Sequence, residues 1–384
     1  MISPRLLIFI TVFLDIIGFG IVLPLLPSYA MAFHVGPTTI GMLVASFSLM
    51  QFLLAPWWGN LSDRVGRRPV LLVGLAGSAL SYLLFAVADS FWLLLLSRVI
   101  AGGMGATVNV AQAYLADITA PEHRGQAMGM IGAAFGFGFV VGPAIGGLTA
   151  HWSSHAPGLI ASGLTGANLV LALAWLPESR AGRQAASGGA PLPWFRFTAP
   201  FAAVGLSTLA FTVLYVVFPL EVEHSLGFHR GQTAYLFVLM GLVGAIVQGG
   251  LVGRLMPRLG ERVLMGTGGM LLAIGLGVLP AAFSAGHQGR LGELYLALTV
   301  LATGSALIGP SAAAYVSRVA SGEEQGRALG LLQRVASVAR IGGPVLAGLV
   351  AGGAGARGAF LVASGAAGLA GLSVALTREV AAAP

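Results

Sequence analysis

Charged side chains are scarce in this chain, and a few stand where charge is costly. Asp15 is the one carboxylate well inside a long apolar run, and Arg98, Arg334 and Arg340 lie inside others. A charge at the centre of a hydrocarbon layer costs about 2.5 kcal/mol or more, so such residues are kept for a function or held in a pair. A carboxylate in an apolar site near a guanidinium is under two opposed influences: desolvation favours its protonated form and the cation its ionised form. That balance suits a group that loads and releases a proton as its access to water changes, and Asp15 is the candidate for proton coupling. A static Asp15–arginine pair is the other use of the same residues.

The elements that must position these groups follow from composition. Of 384 residues, 57% are hydrophobic and 9% charged, far below the roughly one quarter charged of soluble domains. Apolar runs of about 20 residues recur along the chain, the length a helix needs to cross a bilayer. No alternating segments of about 10 residues point to a membrane β-barrel. The fold class is an all-α polytopic membrane protein, with twelve spans at about 6–30, 38–58, 69–88, 91–116, 125–150, 157–177, 199–220, 231–253, 262–283, 291–317, 326–351 and 357–377. A first bundle, 1–178, and a second, 199–384, flank a polar Gly/Ala/Ser-containing linker over 179–198, flexible by composition.

All 20 basic residues are arginine. If the N-terminus is cytoplasmic, Arg5, Arg64, Arg67, Arg68, Arg124, Arg180, Arg183, Arg196, Arg254, Arg258, Arg262, Arg318, Arg327 and Arg378 fall on that side, against Arg230, Arg290 and Arg357 outside. The positive-inside rule then places both termini in the cytoplasm of a bacterial inner membrane. Arginines spread over inter-span loops give no nucleic-acid surface. Met1 to Arg5 leads into a run too long for a cleaved signal. There is no cysteine, hence no disulfide or thiolate metal site. No HExxH, phosphate-binding loop or nucleophile elbow is present, so no catalytic residue, metal site or bound cofactor is expected.

Within the fourth span, Arg98, Gly102, Gly105, Asn109 and Gln112 are spaced 4, 3, 4 and 3, one polar and small face of a helix that should line a water-filled cavity. The eleventh span carries Gln333, Ser337 and Arg340 on one face with Arg334 adjoining. A snorkelling or structurally paired arginine is the alternative use of Arg334 and Arg340. Gln51, Tyr215 and Gln248 are further polar groups inside spans. In the fifth span Gly138, Gly142 and Gly146 stand four apart beside Pro143 and Gly147, a small-residue face that lets backbones approach closely.

The most charge-dense run, Gly59-Asn-Leu-Ser-Asp-Arg-Val-Gly-Arg-Arg-Pro69, joins spans 2 and 3. Gly59 and Gly66 allow tight turns, Pro69 suits a helix start, Arg64, Arg67 and Arg68 anchor the loop, and Asp63 is available to pair with them. Gly59, Arg64, Gly66 and Arg68 recur at an offset of 194 as Gly253, Arg258, Gly260 and Arg262, with Pro257 in place of Asp63 and Glu261 in place of Arg67. Ala113-Tyr114, Gly125, Gly129, Gly142-Pro143 and Gly147 recur at 201 as Ala314-Tyr315, Gly326, Gly330, Gly343-Pro344 and Gly348, and Pro24 recurs at 195 as Pro219. Six spans are therefore duplicated in parallel.

These motifs carry a resemblance. Twelve spans in two similar halves, with Gly59-Asn-Leu-Ser-Asp-Arg-Val-Gly-Arg-Arg-Pro69 between spans 2 and 3, are similar to the major facilitator superfamily. Leu14-Asp-Ile-Ile-Gly-Phe-Gly-Ile-Val-Leu-Pro-Leu-Leu-Pro27 and Gly138-Phe-Val-Val-Gly-Pro-Ala-Ile-Gly-Gly147 resemble segments of its twelve-helix drug/proton antiporters, and Arg98 with Gly102 and Gly105 a third pattern of that group. Within that group it resembles the tetracycline/proton antiporters most, and a general multidrug exporter fits equally well. The resemblance implies a monomeric secondary transporter working by alternating access, with a proton gradient as energy source and protons, a small amphipathic compound and the bilayer as partners. It implies a latching role for Gly59, Asp63, Arg64, Gly66, Arg67 and Arg68, weakened in the second copy, and packing of the span-5 glycines against the other half. It also places Asp15 and Arg98 on helices lining the central cavity. One departure stands out: such exporters use further acids in the spans of the second half, whereas the ninth span here has none, and one acid well inside a span stands against three interior arginines. That excess favours an anionic substrate, so an organic-anion or lipid transporter is the alternative.

Overall fold

The structure, a computed structural model, describes residues 3–120, 123–179, 194–283, 291–321 and 324–377. Arg180, Arg183, Arg290, Arg378 and most of the linker lie outside these residues. Among the described residues every regular element is helical, and eleven helices are long and apolar enough to cross a bilayer. The last of them, Gln325–Leu376, has 52 residues, about 78 Å at the rise of an α-helix and more than twice the hydrocarbon thickness. It breaks at Gly355, whose φ of +73° no helix permits. Counting its two sides separately gives twelve spans.

Three spans are interrupted for local reasons. Span 1 runs Pro4–Val22 and resumes at Leu26–Met31, because Pro24 has no N–H to continue the ladder. Its repeat partner Pro219 sits at an equivalent break, where span 7 passes from Thr198–Phe211 through a tight turn at Thr212–Tyr215 to Phe218–Leu226. Span 4 is Phe91–Met104 followed by Thr107–Ile118; the Gly105 N–H turns back to the Gly102 carbonyl at 3.1 Å. Span 8 is helical from Arg230 to Leu259 but widens into a π turn at Val247–Leu251.

The chain forms two compact units. One is made mostly of the first half and takes in His229–Val238; the other is made mostly of the second half and takes in Gly36–Ala45. Within the first, the glycine face of span 5 meets span 1 of its own half. A Cβ on Gly138 would stand 2.5 Å from Ile16, one on Gly142 2.8 Å from Gly20, and one on Gly146 2.7 Å from the Ile21 carbonyl. The spacing was read correctly but the partner was not, since the neighbouring Gly147 alone reaches span 8, where a Cβ would stand 2.9 Å from the Gly231 carbonyl. The second unit holds the repeat equivalent of that contact: a Cβ on Gly348 would stand 2.5 Å from the Pro37 carbonyl, and the Thr38 hydroxyl donates to the Gly348 carbonyl at 3.3 Å. Beside the first contact, Arg230 lies 4.8 Å over the Tyr29 ring and donates to the Ser28 carbonyl.

Spans 1 and 5 thus touch backbone to backbone, leaving no room for side chains to give way. Gly142→Val should destabilise the protein by about 1–3 kcal/mol, the usual range for overpacking, and a thermal melt in detergent measures it. The same change at Gly132, around which there is open space, should leave the melt almost unmoved.

Candidate functional site

The loop between spans 2 and 3 is a single residue. Span 2 stays helical from Pro37 to Val65 and span 3 begins at Arg67, because nothing in Asn-Leu-Ser-Asp-Arg breaks a helix before Gly66. Gly66 has φ +102° and ψ 162°, a region essentially reserved for glycine. Gly59, read as a turn residue, is instead helical, with open space where its Cβ would be.

Around Gly66 the charges close into one network. Arg67 bridges Asp63 at 2.8 Å and Asp117, near the end of span 4, at 3.1 Å, and donates to the Ser62 hydroxyl at 2.7 Å. The Glu178 carboxylate, just past span 6, accepts from the Arg67 N–H at 2.8 Å and the Arg68 N–H at 3.2 Å. It thereby satisfies N–H groups that have no partner inside the helix they open. Arg68 donates from Nη2 to the Leu173 carbonyl at 2.8 Å, while Arg64 is exposed. Asp117 and Glu178 were not among the sequence candidates; each comes from a span end far away in the chain.

The second copy keeps this scaffold with its polarity reversed. Gly260 turns at φ +79°. Glu261 holds the place of Arg67, and Arg318, at an offset of 201 from Asp117, holds the place of the acid; the two meet at 3.2 Å. Arg262 donates to the Val374 carbonyl at 2.6 Å in span 12, as Arg68 does in span 6. The substitution that weakened the copy in sequence is half of an exchanged ion pair.

The interior groups fall into two sets. In the first half, Asp15 is half-buried and faces the Ser78 hydroxyl, while Arg98 is buried. Among the described residues no ion pair joins Asp15 to Arg98; Tyr82 of span 3 lies in electrostatic range of both. The guanidinium stands 6.0 Å from the Tyr82 ring centroid and 5.5 Å from that of Phe85, and its Nε donates to the Ser97 hydroxyl at 3.2 Å. The polar face of span 4 does not continue as one lining. Arg98 packs on span 3, Gly102 sits against the Phe47 carbonyl, and Gln51 donates to the Gly105 carbonyl at 3.0 Å; past the break Asn109 is exposed and Gln112 partly so. A continuous helix was assumed, and the turn at Gly105 and Ala106 interrupts it.

In the second half, Arg340 donates to the Ser337 hydroxyl at 2.8 Å, and Ser337 to the Gln333 carbonyl at 2.9 Å. Tyr215, in the tight turn of span 7, lies in electrostatic range of Arg340. Among the described residues no carboxylate is within ion-pair distance of Arg340. It stands one turn from Pro344, whose carbonyl packs against Gly41 of span 2. Arg334 is exposed on the adjoining face, and Gln248 is exposed in the π turn of span 8.

Paired helical halves, broken spans carrying the interior charges, and matched ion-paired loops at single glycine turns define a membrane transporter. The family description Major Facilitator Superfamily matches residues 8–249 and again 200–384, so the chain belongs to the major facilitator superfamily. It is 33% identical over 354 residues to the tetracycline resistance protein, class C, of Escherichia coli, covering 88% of this chain and 86% of the relative. It is 28% identical to multidrug resistance protein 2 of Bacillus subtilis, covering 88% and 86%. The crystal structure of the human organic anion transporter MFSD10 (TETRAN) superposes with a TM-score of 0.73 at 25% identity, covering 97% of this chain and all of that one.

The geometry around Gly66 ranks its own parts. Gly66→Ala should lower stability by about 1–3 kcal/mol through backbone strain, with the Glu178 carboxylate in the way of the added methyl. Asp117→Asn, breaking one partly exposed pair, should lower it by about 1 kcal/mol or less. Exchanging the pair as Arg67→Glu with Asp117→Arg should recover that loss once Asp63, which Pro257 replaces in the second copy, is also made neutral as Asp63→Asn; denaturation melts of these variants test the order.

Proposed function

We propose that the chain is a proton-coupled exporter of small amphipathic compounds, tetracycline-like or multidrug in range, in a bacterial cytoplasmic membrane. Both termini face the cytoplasm, the linker over 179–198 joins a bundle of 1–178 to one of 199–384, and the monomer works without a bound cofactor. The relatives named for tetracycline and multidrug resistance support the substrate class. The observation that carries proton coupling is Asp15, the one acid well inside an apolar run, placed beside Ser78 with Arg98 and Tyr82 close by. Asp15 takes a proton when its site opens to one side and gives it up when the site opens to the other. Arg98, Asn109, Gln112, Gln333, Arg334 and Arg340 are the polar contacts for cargo, with Gln51, Tyr215 and Gln248.

The glycine loops are the moving joints. Gly66, Asp63, Arg67 and Arg68, held by Asp117 and Glu178, form the cytoplasmic latch, with Arg64 as its membrane anchor, and Glu261 with Arg318 forms its counterpart. The contacts Gly147–Gly231 and Gly348–Pro37, the second with the Thr38 hydroxyl on the Gly348 carbonyl, are the matching closure of the outer end.

A second reading rests on Arg340, which donates to the Ser337 hydroxyl and has no carboxylate beside it among the described residues: the cargo supplies the counter-charge through an anionic group. The relative named as an organic anion transporter fits this reading.

Two experiments follow. Tetracycline added to wild-type protein in weakly buffered detergent should release protons, and Asp15→Asn should abolish the release while tetracycline still binds; release unchanged in the variant overturns the assignment. Arg340→Ala should weaken an anionic ligand by about tenfold, the loss of one charge-assisted hydrogen bond, and leave a cationic one unaffected. Equal losses for both would remove the anionic reading.

A further inference from the structure

Four of the buried polar side chains that find no hydrogen-bond partner lie on spans 1, 4 and 6 in the interior of the first half. They are the Thr11 hydroxyl on span 1, the Thr165 hydroxyl and Asn168 Oδ1 on span 6, and Arg98 Nη2 on span 4. Thr11, Thr165 and Asn168 are fully buried, and Arg98 is 3% exposed. Buried polar groups are normally hydrogen-bonded, so four of them set where alanine or leucine would fit call for a reason.

Their placement is linear. Asn168 Nδ2 donates to the Thr11 carbonyl at 3.0 Å. Thr11, Asp15 and Gly18 follow at i, i+4 and i+7 on one face of span 1, about 10 Å along its axis. Asp15 faces Ser78 of span 3. One turn further, Gly18 provides the space in which Tyr82 and Thr165 come together: a Cβ there would stand 2.7 Å from the Tyr82 ring and 3.2 Å from the Thr165 hydroxyl. Tyr82 leads to Arg98. The result is a file of polar groups, Asn168, Thr11, Asp15 with Ser78, Thr165, Tyr82 and Arg98, walled by spans 1, 3, 4 and 6. The titratable groups in it are Asp15, Tyr82 and Arg98. The opposite face of span 1 (Ile16, Ile17, Gly20 and Ile21) packs on span 5.

The internal repeat supplies a control from the same chain. At the repeat offsets, Asp15, Ser78 and Tyr82 correspond to Ala210, Leu272 and Leu276. The buried face of span 6, with Ala161, Thr165, Asn168 and Ala172 spaced 4, 3 and 4, is matched in span 12 by the like-spaced buried face Ala363, Ala367, Ala370 and Val374, one residue beyond the offset of 201. All of these counterparts are apolar, so the architecture does not require polar groups here.

We propose that this file is a proton path inside the first half, meeting the cargo contacts only at Arg98, in which Thr165, Asn168, Thr11 and Tyr82 relay a proton to and from Asp15. It rests on the reading of Asp15 as the proton site and extends it to residues on spans 3 and 6. Protonation and cargo movement are then coupled through the tilt of span 1 rather than by competition for one pocket. Gly18 is a positioning residue, keeping Tyr82 and Thr165 within reach of span 1.

The test uses the full-length protein in lipid and needs no cargo. Infrared difference spectra after a pH jump follow the carboxyl C=O band that Asp15→Asn removes. In Thr165→Ala with Asn168→Ala, residues the second half already uses at these places, the rate of that band should fall by about tenfold or more, as loss of hydrogen-bonded partners implies. Tyr82→Phe should slow it likewise, whereas Thr165→Ser should keep the wild-type rate. Wild-type rates in the double variant and in Tyr82→Phe overturn the path while leaving Asp15 as the proton site. A band that survives Asp15→Asn overturns the reading of Asp15 itself.

Discussion

The structure is governed by the cost of placing charge and unpaired polar groups in a low-dielectric interior. Charged residues make up 9% of the chain, and their locations divide cleanly. At the arginine-rich end they are exposed or partly exposed and ion-paired, as in Arg67 with Asp63 and Asp117 and Glu261 with Arg318. Inside the spans they are few and joined by no direct pair among the described residues. Surface pairs of this kind contribute little stability each, so the fold does not depend on them; the glycine contacts and the apolar core hold it. What the pairs set is which way the short loops between spans are held.

That division gives the two halves different tasks despite their common origin. The first half retains Asp15, Ser78, Tyr82, Arg98, Thr165 and Asn168 in its interior, and the second has alanine and leucine at the corresponding places of spans 7, 9 and 12. The second half in turn carries Arg340 with Ser337 and Tyr215. One half holds the interior acid and the other an interior arginine with no carboxylate in ion-pair distance among the described residues, while both keep the same loop scaffold. Duplication preserved the hinge and released the interiors to diverge.

Much of this was legible in the sequence, and the misses share a cause. Hydropathy and arginine placement gave the spans, and the repeat offsets matched real structural equivalences, including the breaks at Pro24 and Pro219. Gly66 was identified with its role, but Gly59 was not a turn, because a polar stretch without a breaker stays helical. The face of span 4 followed the helical period only as far as Gly105. Asp117 and Glu178 were invisible as partners of Arg67 and Arg68 because spacing along the chain says nothing of which span ends converge. The glycines of span 5 announced a close approach without naming its partner; small residues at that spacing fit span 1 as well as the other half. The reversed polarity of Glu261 and Arg318 looked like decay until both members were placed together.

The account's central claim is that a proton gradient drives cargo out through this chain. Tetracycline accumulation in inside-out membrane vesicles, energised only by an imposed pH gradient with the lumen acidic, measures it directly. The account predicts accumulation that follows the size of the gradient and collapses when a proton–cation exchanger dissipates it. Accumulation that persists undiminished after the gradient is gone would contradict it.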